Sequence, residues 1–413
     1  MFQWTDEQEM VRGAVRQFID KEIRPRIDEF EHGDTPPYDV LRKLFRDFGM
    51  DVAARDRFAK QIAFEKEVAA AVEKGETPAG EAQARRRRWR LVAHAHPDHR
   101  ALQGLPGHGH RHGRVDGAHV GRHQLQGHHR PEGAVGARPA HHGQVGAWAI
   151  TEPNSGSDAF GSMKSTARKD GDEYVLNGSK TFITNGPYAD TIVFICKFDE
   201  GNDPKDRKIL SFVLDRGTPG LEQSKPLRKM GMHSSPTGEL FLDDVRVTKD
   251  RLIGETEDPP AGGREGAKAT FMQERSGVAA MALGIIEECL TISVDYAKNR
   301  VQFGSPIGDF QLIQDKLARM EVARLNVENL VFRTIEMSAA GHSMTLAEAS
   351  AMKLYSARAA TEVALEAVQI LGGNGYMSEF RVEQLARDAK VLQIYAGTDE
   401  IQITHIAKDL LRR

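Results

Sequence analysis

The chain has 413 residues, long enough to bury a sizeable core and to make two or three domains. Its 56 basic and 59 acidic residues leave a net charge of −3, so no global field points to nucleic acid or an anionic membrane surface. Only two cysteines occur, Cys196 and Cys289, each in an apolar stretch; this excludes a disulfide framework and reads as buried thiols in a reducing compartment.

The N-terminus, MFQWTDEQEM, lacks the basic and apolar regions of a secretory signal. Thr5-Asp6-Glu7-Gln8 has the form of a capping box, and Val11, Val15, Phe18, Ile19 and Ile23 follow at helical spacing. They predict a helix ending near Arg24-Pro25. A second short helix over 38–49 carries Leu41, Leu44 and Phe45. Residues 50–72 are charged and helix-prone, and 75–80 are polar and linker-like. Four arginines then occupy 85–88, and 12 of the chain's 16 histidines lie between His94 and His142, among Arg, Gly and Pro. A metal-binding tract, a basic nucleic-acid patch and a shifted reading frame in GC-rich coding sequence all give this composition. It has none of the apolar periodicity that buries a helix face.

Residues 148–186 hold two polar clusters, TEPNSGSD (151–158) and FITNG (182–186). In the first, Thr151, Ser155 and Ser157 alternate with Gly156 and small residues. Such a loop either turns the corner before a hairpin or sets hydroxyls and N–H groups against an anionic or heterocyclic ligand. Asn177-Gly178, between Tyr174-Val175-Leu176 and Lys180-Thr181-Phe182-Ile183, is a tight-turn signal. Runs at 191–196, 209–214 and 239–247 read as strands, with turns at 201–208 and 217–220, predicting an antiparallel barrel or sandwich of about 100 residues.

From 263 the pattern is helical. Val278, Ala282, Ile285, Cys289, Ile292 and Tyr296 form one stripe, and Phe310, Ile313, Leu317 and Met320 begin a second helix. A third spans 347–371 and stops at Gly372-Gly373-Asn374-Gly375. A final pair carries Leu385, Ala389 and Leu392, then 401–411. A helical bundle is expected. Its most apolar stretch, around 278–286, reads as too short to span a bilayer, so a cytoplasmic protein is expected.

TEPNSGSD and FITNG, followed in order by QER (273–275), RVQFGSPI (300–307), FQ (310–311), VQILGGNGY (368–376), RDAK (387–390) and IYAGTDEIQI (394–403), resemble the acyl-CoA dehydrogenase family. The resemblance is weak over 5–50 and strong from 146 onward. It implies an α+β fold of three domains: an N-terminal helical domain (1–147), a middle antiparallel β-barrel domain (148–255) and a C-terminal four-helix bundle (262–413). The family places apolar helices where the His/Arg tract lies, and family-like sequence resumes in register at Val145-Gly146-Ala147-Trp148. A shifted frame over 85–145 is therefore the favoured reading of that segment. The resemblance further implies FAD as cofactor, no metal, and an acyl-CoA substrate dehydrogenated to the trans-2-enoyl-CoA, as in fatty acid β-oxidation. Electrons would pass to an electron-transfer flavoprotein, and the assembly would be a homotetramer or homodimer.

The chemistry needs a carboxylate base for the α-proton while flavin N5 takes the β-hydrogen as hydride. Most of the family carries that glutamate in IYEGT, where this chain has Ile394-Tyr395-Ala396-Gly397-Thr398. The isovaleryl and long-chain branches carry it just before the arginine of the first C-terminal helix, where this chain reads Met272-Gln273-Glu274-Arg275. The resemblance thus implies Glu274 as base and Arg275, Ala396 and Gly397 on the substrate side, with Ser157 touching both substrate and flavin. Without it, Glu274 is a carboxylate near a helix start and Arg275 a salt-bridge partner. For the cofactor the resemblance carries over Thr151, Ser157, Phe182 (where many members have tryptophan), Ile183 and Thr184. Arg300, Gln302, Phe303, Gln311, Gln369, Gly372 and Gly373 would reach the FAD of a neighbouring subunit, and Thr398 and Glu400 complete the set. Two other readings stand: a product inactivated by the 85–145 segment, and a flavoprotein with a His-rich metal-binding arm.

Overall fold

The computed structural model describes residues 4–56, 60, 144–258, 262–342 and 344–412, without the side chains of 262–273. The helix-prone stretch past residue 60 and the His/Arg tract, with the frame-shift, metal-arm and nucleic-acid readings attached to it, lie outside the described residues.

Helix α1 (Asp6–Phe18) starts on the expected capping box: the Gln8 N–H donates to Thr5 Oγ1 at 3.2 Å, and Gln8 Oε1 accepts the Thr5 N–H at 2.9 Å. Pro25 tightens the chain rather than stopping it. A π turn (Ile19–Ile23) and a 3-10 turn (Arg24–Arg26) lead into α2 (Ile27–His32), and α3 (Tyr38–Asp47) follows. Val15, Phe18, Ile19, Ile23, Phe30, Val40 and Leu44 close a small core.

The middle sheet has strands β1 (Gly146–Ala149), β2 (Thr166–Asp170), β3 (Glu173–Thr184), β4 (Thr191–Phe198), β5 (Ile209–Asp215), β6 (Leu221–Gln223) and β7 (Thr237–Thr248). They run in the order β1-β4-β2-β3-β7-β6, with β5 also paired to β4. Most pairings are antiparallel, but β1 and β2 both run parallel to β4, sharing one of its edges. One expectation is corrected. Asn177-Gly178 makes no turn; β3 runs straight through it, and the hairpin turns at Gly171-Asp172 instead, with Gly171 at φ 65. Gly178 is needed within the strand because a Cβ there would sit 2.2 Å from Ser165 Oγ. Opposite it β7 takes up one extra residue, and Asn177 exchanges two 2.9 Å hydrogen bonds with Asp244, itself at φ 47.

The C-terminal region contains α4 (Gly262–Asn299), a small hairpin of β8 (Val301–Gln302) and β9 (Ser305–Pro306), α5 (Gln311–Ala339), α6 (Leu346–Leu371), α7 (Val382–Val391) and α8 (Asp399–Leu410). Three helices are long; the final pair is short. Alanines on α6 (Ala357, Ala360, Ala364, Ala367) let α4 and α6 approach closely around Leu283, Ile286 and Cys289. The apolar stretch of α4 exceeds its expected length: Glu274–Asn299 is long and apolar enough to span a membrane, but 61 % of its apolar window is buried inside the fold. It is the core helix of the bundle.

The three regions meet through charge. Arg24 donates to Glu288 at 3.0 Å, and the Arg387 guanidinium and the His233 ring lie 2.8 and 3.1 Å from Glu31 Oε1.

Candidate active site

The predicted residues fall into three groups. The first is a wall on the middle sheet. The Thr181 N–H donates to the Thr151 carbonyl at 2.9 Å, bringing TEPNSGSD against the end of β3. There β3 carries one residue more than β7, a bulge between Lys180 and Ile183. Phe182 takes φ 55 and leaves its ring 69 % exposed. A left-handed aromatic residue costs on the order of 1–3 kcal/mol, so the surroundings must hold it there. Ile183 packs its side chain into the sheet core, leaving only its backbone to face a ligand.

Two buried anchors hold this wall. Lys180, fully buried, donates to Glu152 Oε1 at 2.9 Å and to the Ile150 carbonyl at 3.1 Å. The same carboxylate accepts the N–H groups of Lys164 and Ser165 at 2.6 and 2.9 Å. Burial alone would raise the Glu152 carboxyl, but the Lys180 charge and these donors bring it below the usual carboxylate range. At the other end Asn185, at φ 64, donates from Nδ2 to the Gly146 carbonyl at 3.0 Å and from its N–H to the Pro236 carbonyl at 2.7 Å. Its Oδ1 accepts the Tyr38 hydroxyl at 3.0 Å, docking α3 on the same loop. Neither anchor was foreseen. A lysine at a position of β3 that points inward was the one available signal.

The second group joins α4 to the loop before α8. Arg275 is 3 % exposed; its Nη1 donates to Ser350 Oγ at 2.9 Å and to His405 Nδ1 at 3.3 Å, while Nε has no hydrogen-bond partner among the described residues. Burial lowers the guanidinium to about 10, against the supporting charge of Glu274. Gly397, at φ 87, comes so near that a Cβ on it would lie 3.6 Å from Arg275 Nη2. Ala396 is left-handed too, at φ 54. The loop is clamped through its carbonyls: Gln402 Nε2 donates to Ala396 O at 3.1 Å and Gly397 O at 2.7 Å, and Lys353 Nζ to Gly397 O at 2.9 Å. Thr398 is the N-cap of α8, its Oγ1 accepting the Ile401 N–H at 3.4 Å, and Glu400 is exposed.

The third group lies at the far end of α4. Arg300, Gln302, Phe303, Gln311, Gln369, Gly372 and Gly373 are all exposed, Phe303 by 96 %. The Arg300 N–H donates to the Tyr296 carbonyl, and Asn374 Nδ2 to the Tyr296 hydroxyl at 3.1 Å, tying the hairpin to the end of α6. Phe303-Gly304 forms the hairpin tip, at φ 52 and 86. An exposed ring on the first group, with an arginine and bare glycine backbone on the third, suits a flat heterocycle with a pyrophosphate tail. The residues present therefore fit FAD.

Comparison with known proteins supplies the family. Sequence models of the acyl-CoA dehydrogenase N-terminal, middle and C-terminal domains match residues 5–54, 147–245 and 261–411. An acyl-CoA dehydrogenase of Bacillus subtilis (strain 168) is 45 % identical over 267 residues, 65 % of this chain and 68 % of the relative. The structure of butyryl-CoA dehydrogenase from Megasphaera elsdenii matches 100 % of both chains, with a TM-score of 0.78 and 30 % identity. An acyl-CoA dehydrogenase from Bacillus anthracis complexed with FAD matches with a TM-score of 0.72 and 26 % identity, over 99 % of this chain and 67 % of that one. The chain belongs to the acyl-CoA dehydrogenase family of FAD-dependent oxidoreductases.

Proposed function

We propose that this protein dehydrogenates an acyl-CoA thioester between its α and β carbons, with Glu274 as the base. The observation that carries the reading is the meeting of α4 and the 396–397 loop, where Arg275 follows Glu274 and packs within 3.6 Å of the Gly397 Cβ position. At that meeting Ala396 offers a methyl group where most of the family has its glutamate. Glu274 takes the α-proton, and the buried Arg275 charge orients the thioester end of the substrate. Bound FAD supplies the acceptor for the β-hydrogen, which leaves as hydride. Thr151, Ser157, Phe182 and Thr184, with the Ile183 backbone, form the wall for the flavin. The exposed set from Arg300 to Gly373 serves the cofactor of a neighbouring copy in a homotetramer or homodimer. An electron-transfer flavoprotein is the expected acceptor, the expected compartment the cytoplasm, and the domain limits 1–147, 148–255 and 262–413.

The test is the visible spectrum of the purified protein, before and after anaerobic addition of a series of acyl-CoAs. A yellow protein bleached by one chain length supports the reading and names its substrate. Glu274→Gln should keep its colour and bleach roughly 10²- to 10⁴-fold more slowly. Unchanged bleaching would remove Glu274 from the role.

A further inference from the structure

We infer that Lys180, paired with Glu152, is a positioning residue for the flavin: from inside the sheet it sets the place and angle of the exposed Phe182 lip. The inference rests on the flavin reading of that wall and adds what holds the wall in place. Three observations carry it. Lys180 is fully buried, and its ammonium reaches both the Ile150 carbonyl, next to Thr151, and the Glu152 carboxylate. It thereby fastens the start of TEPNSGSD to the strand that ends in Phe182. Glu152 in turn collects the N–H groups of Lys164 and Ser165, so both ends of the 151–165 loop hang on one carboxylate. The chain between Lys180 and Ile183 is bulged by one residue, and Phe182 sits there in a conformation disfavoured for an aromatic residue.

A buried charge pair is a weak means of stabilising a fold, because desolvation offsets most of the attraction. It is a strong means of fixing geometry: with the pair in place, the strand that ends in Phe182 stays fastened to the start of TEPNSGSD. The Lys180 ammonium also lies 5.2 Å from the Phe194 ring centroid, which limits its own movement. Lys180 touches no ligand-facing surface, so its influence on the cofactor runs through the lip alone.

The experiment uses full-length protein stripped of FAD and titrated with FAD, followed by flavin fluorescence and by visible circular dichroism. Lys180→Met should fold, bind FAD roughly tenfold or more weakly, and shift the flavin dichroic band, while Lys180→Arg recovers part of the affinity. If the single variant fails to fold, Lys180→Met with Glu152→Gln, which leaves no unpaired buried charge, is measured in its place against the same expectation. A folded variant with wild-type affinity and an unshifted band overturns the positioning role and leaves the flavin reading intact. A folded wild-type protein that takes up no FAD overturns both.

Discussion

Lys353 on α6 holds the left-handed Gly397 by its carbonyl at 2.9 Å, and the same ammonium lies 3.7 Å from Asp399. Burial lowers this lysine to about 8 from 10.5, and the nearby Arg275 charge acts in the same direction against Asp399 and Glu400. Between those two values the unfolded chain binds more protons than the folded one, so stability rises with pH across the window. Urea melts from pH 8 to 10.5 should show this rise in the wild type and lack it in Lys353→Met.

Asp388 behaves in the opposite sense. Burial raises its carboxyl to about 6 from 3.8, the Glu31 charge adds to this, and the Met232 N–H, Arg387 and His233 oppose it. The folded state holds the proton more tightly, so this group's contribution is complete below 3.8 and is lost as pH rises through about 6. Asp388→Asn keeps an acceptor for the Met232 N–H and removes the titration. Its stability should be flatter than wild type across that window in urea melts.

Gly397→Ala should damage the substrate loop more than its one methyl group suggests. The new Cβ would lie 2.7 Å from Gln402 Nε2, the atom that clamps both loop carbonyls, and φ 87 disfavours any L side chain. The expected cost is on the order of 1–3 kcal/mol. Turnover should fall further than stability does, as a comparison of melting curves with acyl-CoA kinetics will show.

The two thiols should be silent in the folded protein. Both are fully buried, and burial pushes Cys196 up to about 12 and Cys289 upward as well. A thiol reagent such as DTNB should find no reactive cysteine at pH 8 and both after denaturation. Fast labelling of either one in the native protein would contradict the packing of α4 or β4.

The helical parts were legible because their signals are local. The Thr5 capping box and the Val278–Tyr296 stripe depend on residues three and four apart. The site was legible only through its motifs, since periodicity says nothing about what Thr151 or Glu274 touches. The failures were long-range. Asn177-Gly178 carries a turn signature, yet β7 across the sheet absorbs the irregularity and Ser165 explains the glycine. Lys180 reads as a solvated lysine until Glu152, 28 positions earlier, is placed beside it. The length of the α4 apolar stretch was underestimated because Glu287 and Glu288 interrupt the run in sequence but sit at the edge of its buried face.

The Glu31 junction also sets an order of events during synthesis. Gln384, whose amide reaches Glu31 at 3.3 Å, lies 353 positions further along the chain. A ribosome must add 353 further residues after Glu31 before this carboxylate meets its amide partner. The junction between α2 and α7 is therefore among the last contacts of these N-terminal helices to form. Until then the Val15, Phe18 and Phe30 core holds these helices together by itself, and a chain cut short before α7 would leave Glu31 permanently without its Gln384 and Arg387 partners.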